Sequence, residues 1–435
     1  MNRILLLNFI LFSNLFFSQT NPLWQVVKIS DKNDPEEVSI AINPKNPAQI
    51  VVGANIDQLY LSSDTGRTWT FQKIQCDSFG VYGDPVLLWD TSNTFYYFHL
   101  SEPNSKLVKD AKWIDRIVVQ SSSDFGKSFN FCVGIGKNGN KNQDKEWAYF
   151  NPKTNEIYVT WTQFDKYGSK NPNDSSIILF SKSKDRGRTW TKPVRVSHYA
   201  GDCRDSDETV EGATSSAGLN NEIYVAWASK YGIMFTVSYD GGETFELPEK
   251  RIDTIYGGWD MKVDGLFRSN GMPFLVCDNN PKSKYAGNIY ICFGDEKDKD
   301  KNIWLLKSED GGKTWKKRIK VNNDTTIREQ FMPMMNIDPV TGYLYVIFYD
   351  RRNHNDMHTD VYLAVSTDGG ETFKNFKLNE KSFKPFFLKF FGDYIGLSAY
   401  NNIVRPVWME LHDIKLSIHT AIINNIDEVL KNEGK

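Results

Sequence analysis

Histidine and cysteine are scarce in this chain of 435 residues, which has six of the first and five of the second. The cysteines (Cys76, Cys132, Cys203, Cys277 and Cys292) match no zinc spacing, and an odd number cannot pair completely. No P-loop, dinucleotide fingerprint or HExxH motif is present, so no phosphate cradle, nicotinamide site or zincin helix can be argued. An excess of one charge is also missing. Fifty-two Lys and Arg against 54 Asp and Glu leave a formal −2, which gives no electrostatic footprint for nucleic acid. No cofactor is implied by any motif, an axial or structural cation such as calcium being the open alternative.

The one long apolar run comes first. "MNRILLLNFILFSNLFFSQTNP" sets an Arg ahead of apolar residues and ends in small or polar ones, the pattern of a secretory signal peptide cut near Ser18 to Thr20. An uncleaved anchor is the alternative, disfavoured because the run is short for a span. No Cys follows it to carry a lipid. The expected organisation is a signal peptide over 1–19, one domain over 20–423 and a tail over 424–435. The mature chain is expected to be secreted, extracellular or periplasmic, with no membrane span after cleavage.

What the chain has in plenty is one octad. Ser-x-Asp-x-Gly-x-Thr/Ser-Trp/Phe occurs six times, with its Asp at 64, 124, 185, 240, 310 and 368. The gaps of 60, 61, 55, 70 and 58 residues mark stacked supersecondary units with variable insertions. Each octad lies between β-rich runs and reads as a hairpin turn. Its Asp accepts turn amides, its Gly takes positive φ and its aromatic packs behind. Two further strands precede each octad, giving four antiparallel strands per period, which is a propeller blade. The C-terminal runs "YIGLSAYNN", "IVRPVWMEL" and "KLSIHTAII" supply three strands of a seventh blade, and the N-terminal strand from Trp24 to Ile29 supplies the fourth. The fold expected is therefore all-β, a seven-bladed propeller closed by its N-terminal strand, with a six-bladed ring as the alternative. Cys277 and Cys292 fall on neighbouring strands, so a disulfide and a pair of buried thiols are both open.

Alternating strand direction puts the octads on one face and the starts of the inner strands on the other. Function is sought at the second. Five inner strands begin with a carboxylate: Glu37, Asp84, Glu146, Glu211 and Asp393. Crowded carboxylates push some pKa values up, as general acid catalysis requires; capping of loop amides or an axial cation would use the same residues. Arg351 and Arg352 in "FYDRRNHND", with Arg328 in "TIREQF", could hold an anionic sugar in bidentate fashion, or lock their blade through Asp partners. Tyr349 and Tyr394 are candidate nucleophiles or hydrogen-bond donors beside the acids. Trp147, Trp161, Trp227 and Trp408 are expected to pack between blades, and the charged loop "GDEKDKDKN" to be solvated.

The octads make the chain resemble the Asp-box (bacterial neuraminidase repeat) proteins of the sialidase superfamily over nearly all of its mature length. The phrases "DKEWAYFNP", "FYDRR" and "GDYIG" are similar to those of secreted exo-α-sialidase-like members. The resemblance implies a glycosidase with three arginines for the substrate carboxylate, a tyrosine nucleophile supported by glutamate, and an aspartate acid/base. In that family the ring has six blades, and the first arginine stands in Arg-Ile-Pro ahead of the first octad. Here no arginine lies between Arg3 and Arg67 and no Arg-Ile-Pro exists. Arg328, Arg351, Arg352 and Glu37 are thus the candidates for substrate binding; Asp84, Glu146, Glu211, Asp393, Tyr394 and Tyr349 are those for catalysis. The activity expected is that of a sialidase-like glycoside hydrolase on an acidic sugar. A non-catalytic glycan-binding or protein-interaction propeller is the alternative, and a polysaccharide lyase the third reading. The expected partner is a glycan or glycoconjugate, bound by a monomer.

Overall fold

The computed structural model describes residues 23–103, 112–130 and 132–432. The expected signal peptide lies outside them. Seven four-stranded antiparallel sheets form the blades of a propeller. Their inner strands are Ser39–Ile42, Val86–Trp89, Asn142–Asn151, Glu211–Ala217, Phe274–Cys277, Gln330–Ile337 and Gly396–Tyr400, which number blades 1 to 7. No helix among the described residues is long and apolar enough to cross a membrane.

The ring closes as the sequence pattern requires. The N-terminal strand Gln25–Ser30 runs antiparallel to Lys415–Ile422, with Gln25 opposite Ile422 and Val27 opposite Thr420. Trp24, just ahead of it, meets Phe376 of blade 6 edge-on at 6.2 Å. This explains why seven blades carry only six octads. The octad is the turn into the outermost strand, and in blade 7 that corner lies between the two ends of the chain.

Each octad is held by its own side chains. In the first, Asp64 Oδ1 accepts the N–H groups of Arg67 (3.1 Å) and Thr68 (2.9 Å), and Oδ2 accepts the Thr68 hydroxyl (2.7 Å). Ser62 Oγ accepts the Gly66 N–H at 2.9 Å, and the Trp69 indole donates to the Gly66 carbonyl. Thr65 and Gly66 are both left-handed, at φ 66° and 96°. Two such residues in succession favour glycine, and in three octads both are glycine.

The inner strand of every blade is a free sheet edge, with N–H groups that need partners. Hydroxyls of the preceding blade supply several. Leu87 N–H donates to Ser39 Oγ (3.0 Å), Leu275 N–H to Thr214 Oγ1 (2.9 Å), Cys277 N–H to Ser216 Oγ (3.2 Å) and Ile42 N–H to Ser398 Oγ (3.1 Å). Between blades the core is apolar, and Trp161, Trp227 and Trp408 are fully buried in it.

The disulfide considered between Cys277 and Cys292 is not formed. Register sets Cys277 opposite Ile289 and Cys292 opposite Phe274, and both thiols are buried and free. The bonded pair is Cys76 and Cys132, which ties the blade 1–2 connection to the outer strand of blade 2. At the other end, Ile426–Asn432 of the segment expected as a tail form a short helix with Ile426 and Val429 buried. The charged loop from Gly294 holds one 3-10 turn, Lys297–Lys299.

If the octad carboxylate serves the turn alone, Asp368→Ala will cost about 1–2 kcal/mol, as for other lost cap bonds. Its four bonds, from Ser366, Glu371 and Thr372, all stay within the octad. Urea unfolding checks this.

Candidate functional site

Glycine or an unusual backbone marks the start of the inner strands. Glu37, Asp84, Lys145, Gly212 and Met332 are all left-handed (φ 49°, 53°, 52°, 67° and 55°). Each stands two residues before a paired position: Ser39, Val86, Trp147, Thr214 and Met334. In blades 3, 4 and 6 the residue sits in a β-bulge, which kinks the strand and re-aims the side chain. The true equivalent of Glu37 and Asp84 in blade 3 is therefore Lys145. Glu146 lies one residue late and Glu211 one residue early. A one-residue slip changes which way a side chain faces.

Lys145 is the centre of the acidic mouth. Its buried ammonium donates to Asp393 Oδ2 at 2.6 Å and Asp84 Oδ2 at 3.4 Å, and lies 3.8 Å from Glu37 Oε1. Arg268, from the long connection into blade 5, takes Asp393 with two prongs: Nε to Oδ1 at 2.7 Å, and Nη2 to Oδ2. Its Nη1 pairs with Asp205, which also accepts the Tyr167 hydroxyl at 2.5 Å. Neutral amides complete the frame. Asn55 donates to Glu37 Oε2 and accepts the Asp84 N–H at 2.8 Å, while Asn270 donates to the Asp393 carbonyl at 2.6 Å.

Carboxyl groups outnumber these two cations, and the shortage drives their acidities apart. Burial works against ionising Asp393, but Lys145 and Arg268 overcome it and hold the carboxyl well below the usual range. Asp205 is likewise lowered, with Arg268 the main attraction against burial. Glu211 is pushed well up by burial and then by the neighbouring Asp205 carboxyl. Glu37 is pushed up by burial and by Asp84, and Glu146 by burial and by Asp84. Burial also raises Asp144 to about 7 and Glu36 to about 8. An unbroken chain of contacts thus links Glu37, Asp84, Lys145, Asp393, Arg268, Asp205 and Glu211. Where the three acids of blades 1, 2 and 7 meet, an ammonium stands in the place of an axial cation. Among the described residues no group of three or more His, Cys, Asp or Glu is arranged to hold a metal.

Of the five acids expected at the mouth, Glu37, Asp84, Glu211 and Asp393 belong to this chain of contacts, while Glu146 feels the charge of Asp84 without bonding to it, and Tyr394 lies beside them. Its ring lies 5.8 Å from Lys145 Nζ and 5.4 Å from the Trp147 ring, which in turn packs on Phe274 at 5.1 Å. The Tyr394 hydroxyl is buried without a partner, as are both Glu146 oxygens. The arginines expected beside them are elsewhere. Arg351 is buried in blade 6, donating to Thr359 Oγ1 (3.1 Å) and the Asp264 carbonyl (2.7 Å). Arg352 pairs with Asp350 at 2.6 Å and stacks on Tyr362; Arg328 donates to the Asp356 carbonyl at 2.8 Å. Tyr349 bonds the Met409 carbonyl at 2.9 Å within a group of phenylalanines. Short loop-to-loop distances satisfy these groups locally, so they lock blade 6 instead of reaching the axis.

A cavity lies at the other end of the axis. About 470 Å³ is lined by all seven inner strands and opens among Pro44, Thr91, Pro152 and Pro339, on the octad face. A smaller one of about 170 Å³ continues inward to Trp147 and Phe274. Its walls are mostly aliphatic and aromatic, whereas the groups with opposed acidities are at the mouth.

No family model matches the chain, and no curated protein matches it. Solved structures match it in fold. An ulvan lyase of polysaccharide lyase family PL25 is 13% identical, over 88% of this chain and 93% of that chain, with a TM-score of 0.51. A Hadza microbial sialidase is 12% identical over 86% and 73%, at 0.46. An α-L-arabinofuranosidase from Fusarium graminearum is 14% identical over 78% and 97%, at 0.49. The likeness to the ulvan lyase is one of fold alone.

Two predictions follow from the charge arrangement. Removing one partner from a buried ionic cluster costs about 3–5 kcal/mol, so Lys145→Ala should lose that much stability in urea unfolding at neutral pH. The second concerns acidity. Unfolded Glu releases its proton near about pH 4.3, whereas folded Glu37, Glu146 and Glu211 keep theirs to higher pH, so stability falls as pH rises between those values. Asp144 and Glu36, at about 7 and about 8, mark the same window. Asp393 and Asp205 work oppositely, and their support fails only below about pH 4, the unfolded carboxyl range. Thermal unfolding should give the highest Tm near about pH 5 and a steady fall towards about pH 8. A Tm that rises across that range would refute the retained protons.

Proposed function

We propose that the protein is a secreted, glycan-directed enzyme, a sialidase-like glycoside hydrolase that cleaves an acidic sugar at the carboxylate-lined mouth. The observation that carries this reading is a set of buried carboxyls at one mouth driven apart in acidity, Asp393 lowered by Lys145 and Arg268, Asp205 lowered by Arg268, and Glu211 raised beside Asp205. Glycoside hydrolysis needs that division between acid and base. In this scheme the Glu211 proton passes to the glycosidic oxygen as the C–O bond breaks. Water adds to the anomeric carbon and gives its proton to Asp84, whose side chain is 11% exposed, the most open of the three acids around Lys145. Arg268, 21% exposed, holds the acidic group of the sugar. Glu37, Asp393 and Lys145 fix the charge balance, and Glu146 and Tyr394 remain neutral beside them.

The lyase reading is weaker on chemical grounds. A lyase takes a proton from carbon, and one phenol that shares a partner with Arg268 is Tyr167, through Asp205. Burial and then Asp144 push its acidity away from neutral pH, which makes it a poor base. The test is a panel of sialosides and uronic-acid glycans with product analysis. Saturated reducing ends should appear, and Glu211→Gln and Asp205→Asn should each lower kcat by about 10²–10⁴. Unsaturated ends would make the protein a lyase, and binding with no product would make it a glycan-binding propeller.

A further inference from the structure

Exposed aromatic side chains accompany Arg268. Towards blades 2 and 3, the rings of Tyr82, Trp113 and Tyr167 form an edge-to-face row with centroids 5.3 and 5.5 Å apart. The row is built, not incidental. Asn142 donates to the Trp113 carbonyl at 3.1 Å and accepts the Tyr167 N–H at 2.9 Å, pinning both residues. The Tyr167 hydroxyl then bonds Asp205, the partner of Arg268. Trp113 is nevertheless 40% exposed.

A second aromatic, Phe267, is next to Arg268 in the chain and 73% exposed. Its loop lies against Met357 and Pro385, since a Cβ on Gly265 would lie 2.9 Å from Met357 Sδ and 3.2 Å from the Pro385 carbonyl. A large apolar ring left in water gains nothing for folding, whereas a sugar's C–H face would cover it. The guanidinium also has capacity left. Nε and one N–H on each of Nη1 and Nη2 are bonded to Asp393 and Asp205. Of the five N–H groups of arginine, one on each terminal nitrogen makes no further bond among the described residues. Those are the donors a carboxylate or sulfate would take.

We infer that the mouth takes an internal anionic sugar of an acidic polysaccharide, with Arg268 on its charge and the neighbouring sugars against Trp113 on one side and Phe267 on the other. This rests on reading the mouth as a glycan site, and it makes the protein a reader of chain interiors, not of chain ends. A terminal sugar would occupy only one platform and leave the other in water.

Binding separates this inference from the hydrolase reading. Calorimetry would use the folded protein with hyaluronan and with α2,8-linked sialic acid oligomers of increasing length, from the disaccharide upward. Affinity should climb with length, by about threefold to tenfold for each platform engaged. Trp113→Ala and Phe267→Ala should each remove one such gain from the trisaccharide and longer chains and leave the gain of the other platform in place. Both side chains are exposed, so the variants keep their fold, which the Tm checks. Affinity that is flat with length, or equal for neutral glycans, overturns the inference. Length-dependent binding without turnover would sink the hydrolase reading and leave this one standing. Release of terminal sugars with flat affinity would do the reverse.

Discussion

Everything at the mouth depends on the pairing of the first strand with the last. Gln25–Ser30 against Lys415–Ile422 turns an open row of blades into a ring. Only in a ring do the inner strands of blades 1 and 7 become neighbours, as the Ser398–Ile42 bond requires. The acids inherit that geometry. Glu37 of blade 1 accepts the N–H of Asp393 from blade 7 at 3.1 Å, and both meet Lys145 from blade 3. Burying this many charges is unfavourable unless they neutralise one another. Closure creates the crowding, and the crowding sets the acidities.

Lys145 and Arg268 divide the work of neutralisation. The ammonium is a compact point charge, suited to a spot where three carboxylates meet. The guanidinium is a planar fork, suited to joining two carboxylates while keeping donors in reserve. Lys145 is sealed inside, whereas Arg268 reaches the surface. The cluster therefore has a fixed end and an end that a ligand can address.

The fold was legible because it is written in repeats. Six octads set the period, and the missing seventh corner, with strand-like runs at both termini, pointed to closure by the N-terminal strand. The acids were legible as a group, since each precedes an inner strand. What the pattern could not show was which residue faces inward at a bulge. "DKEW" offers three charged residues in a row, and strand alternation selects Glu146, yet the left-handed turn at Lys145 selects the lysine. Arg268 lies in the connection over 254–273, outside every repeated phrase, so nothing periodic announced it. Arg351 and Arg352 were conspicuous as a pair, but nearby carbonyls and Asp350 satisfy them before they can reach the axis. The cysteine pairing failed for a similar reason. Strand adjacency was right, but the register put the two thiols opposite other residues.

The closing pair also imposes an order of events. Residues 25–30 bond residues 415–422, almost a whole chain apart, and contacts of such long range are slow to form. Every other blade can assemble from consecutive strands as they appear. The first strand, by contrast, has no sheet to join until the last one is made. During synthesis the chain therefore carries an unsatisfied edge at its front, and the carboxylates of blades 1, 2 and 3 remain hydrated and ionised. The junction of Glu37, Asp393 and Lys145 is complete only when the two ends meet.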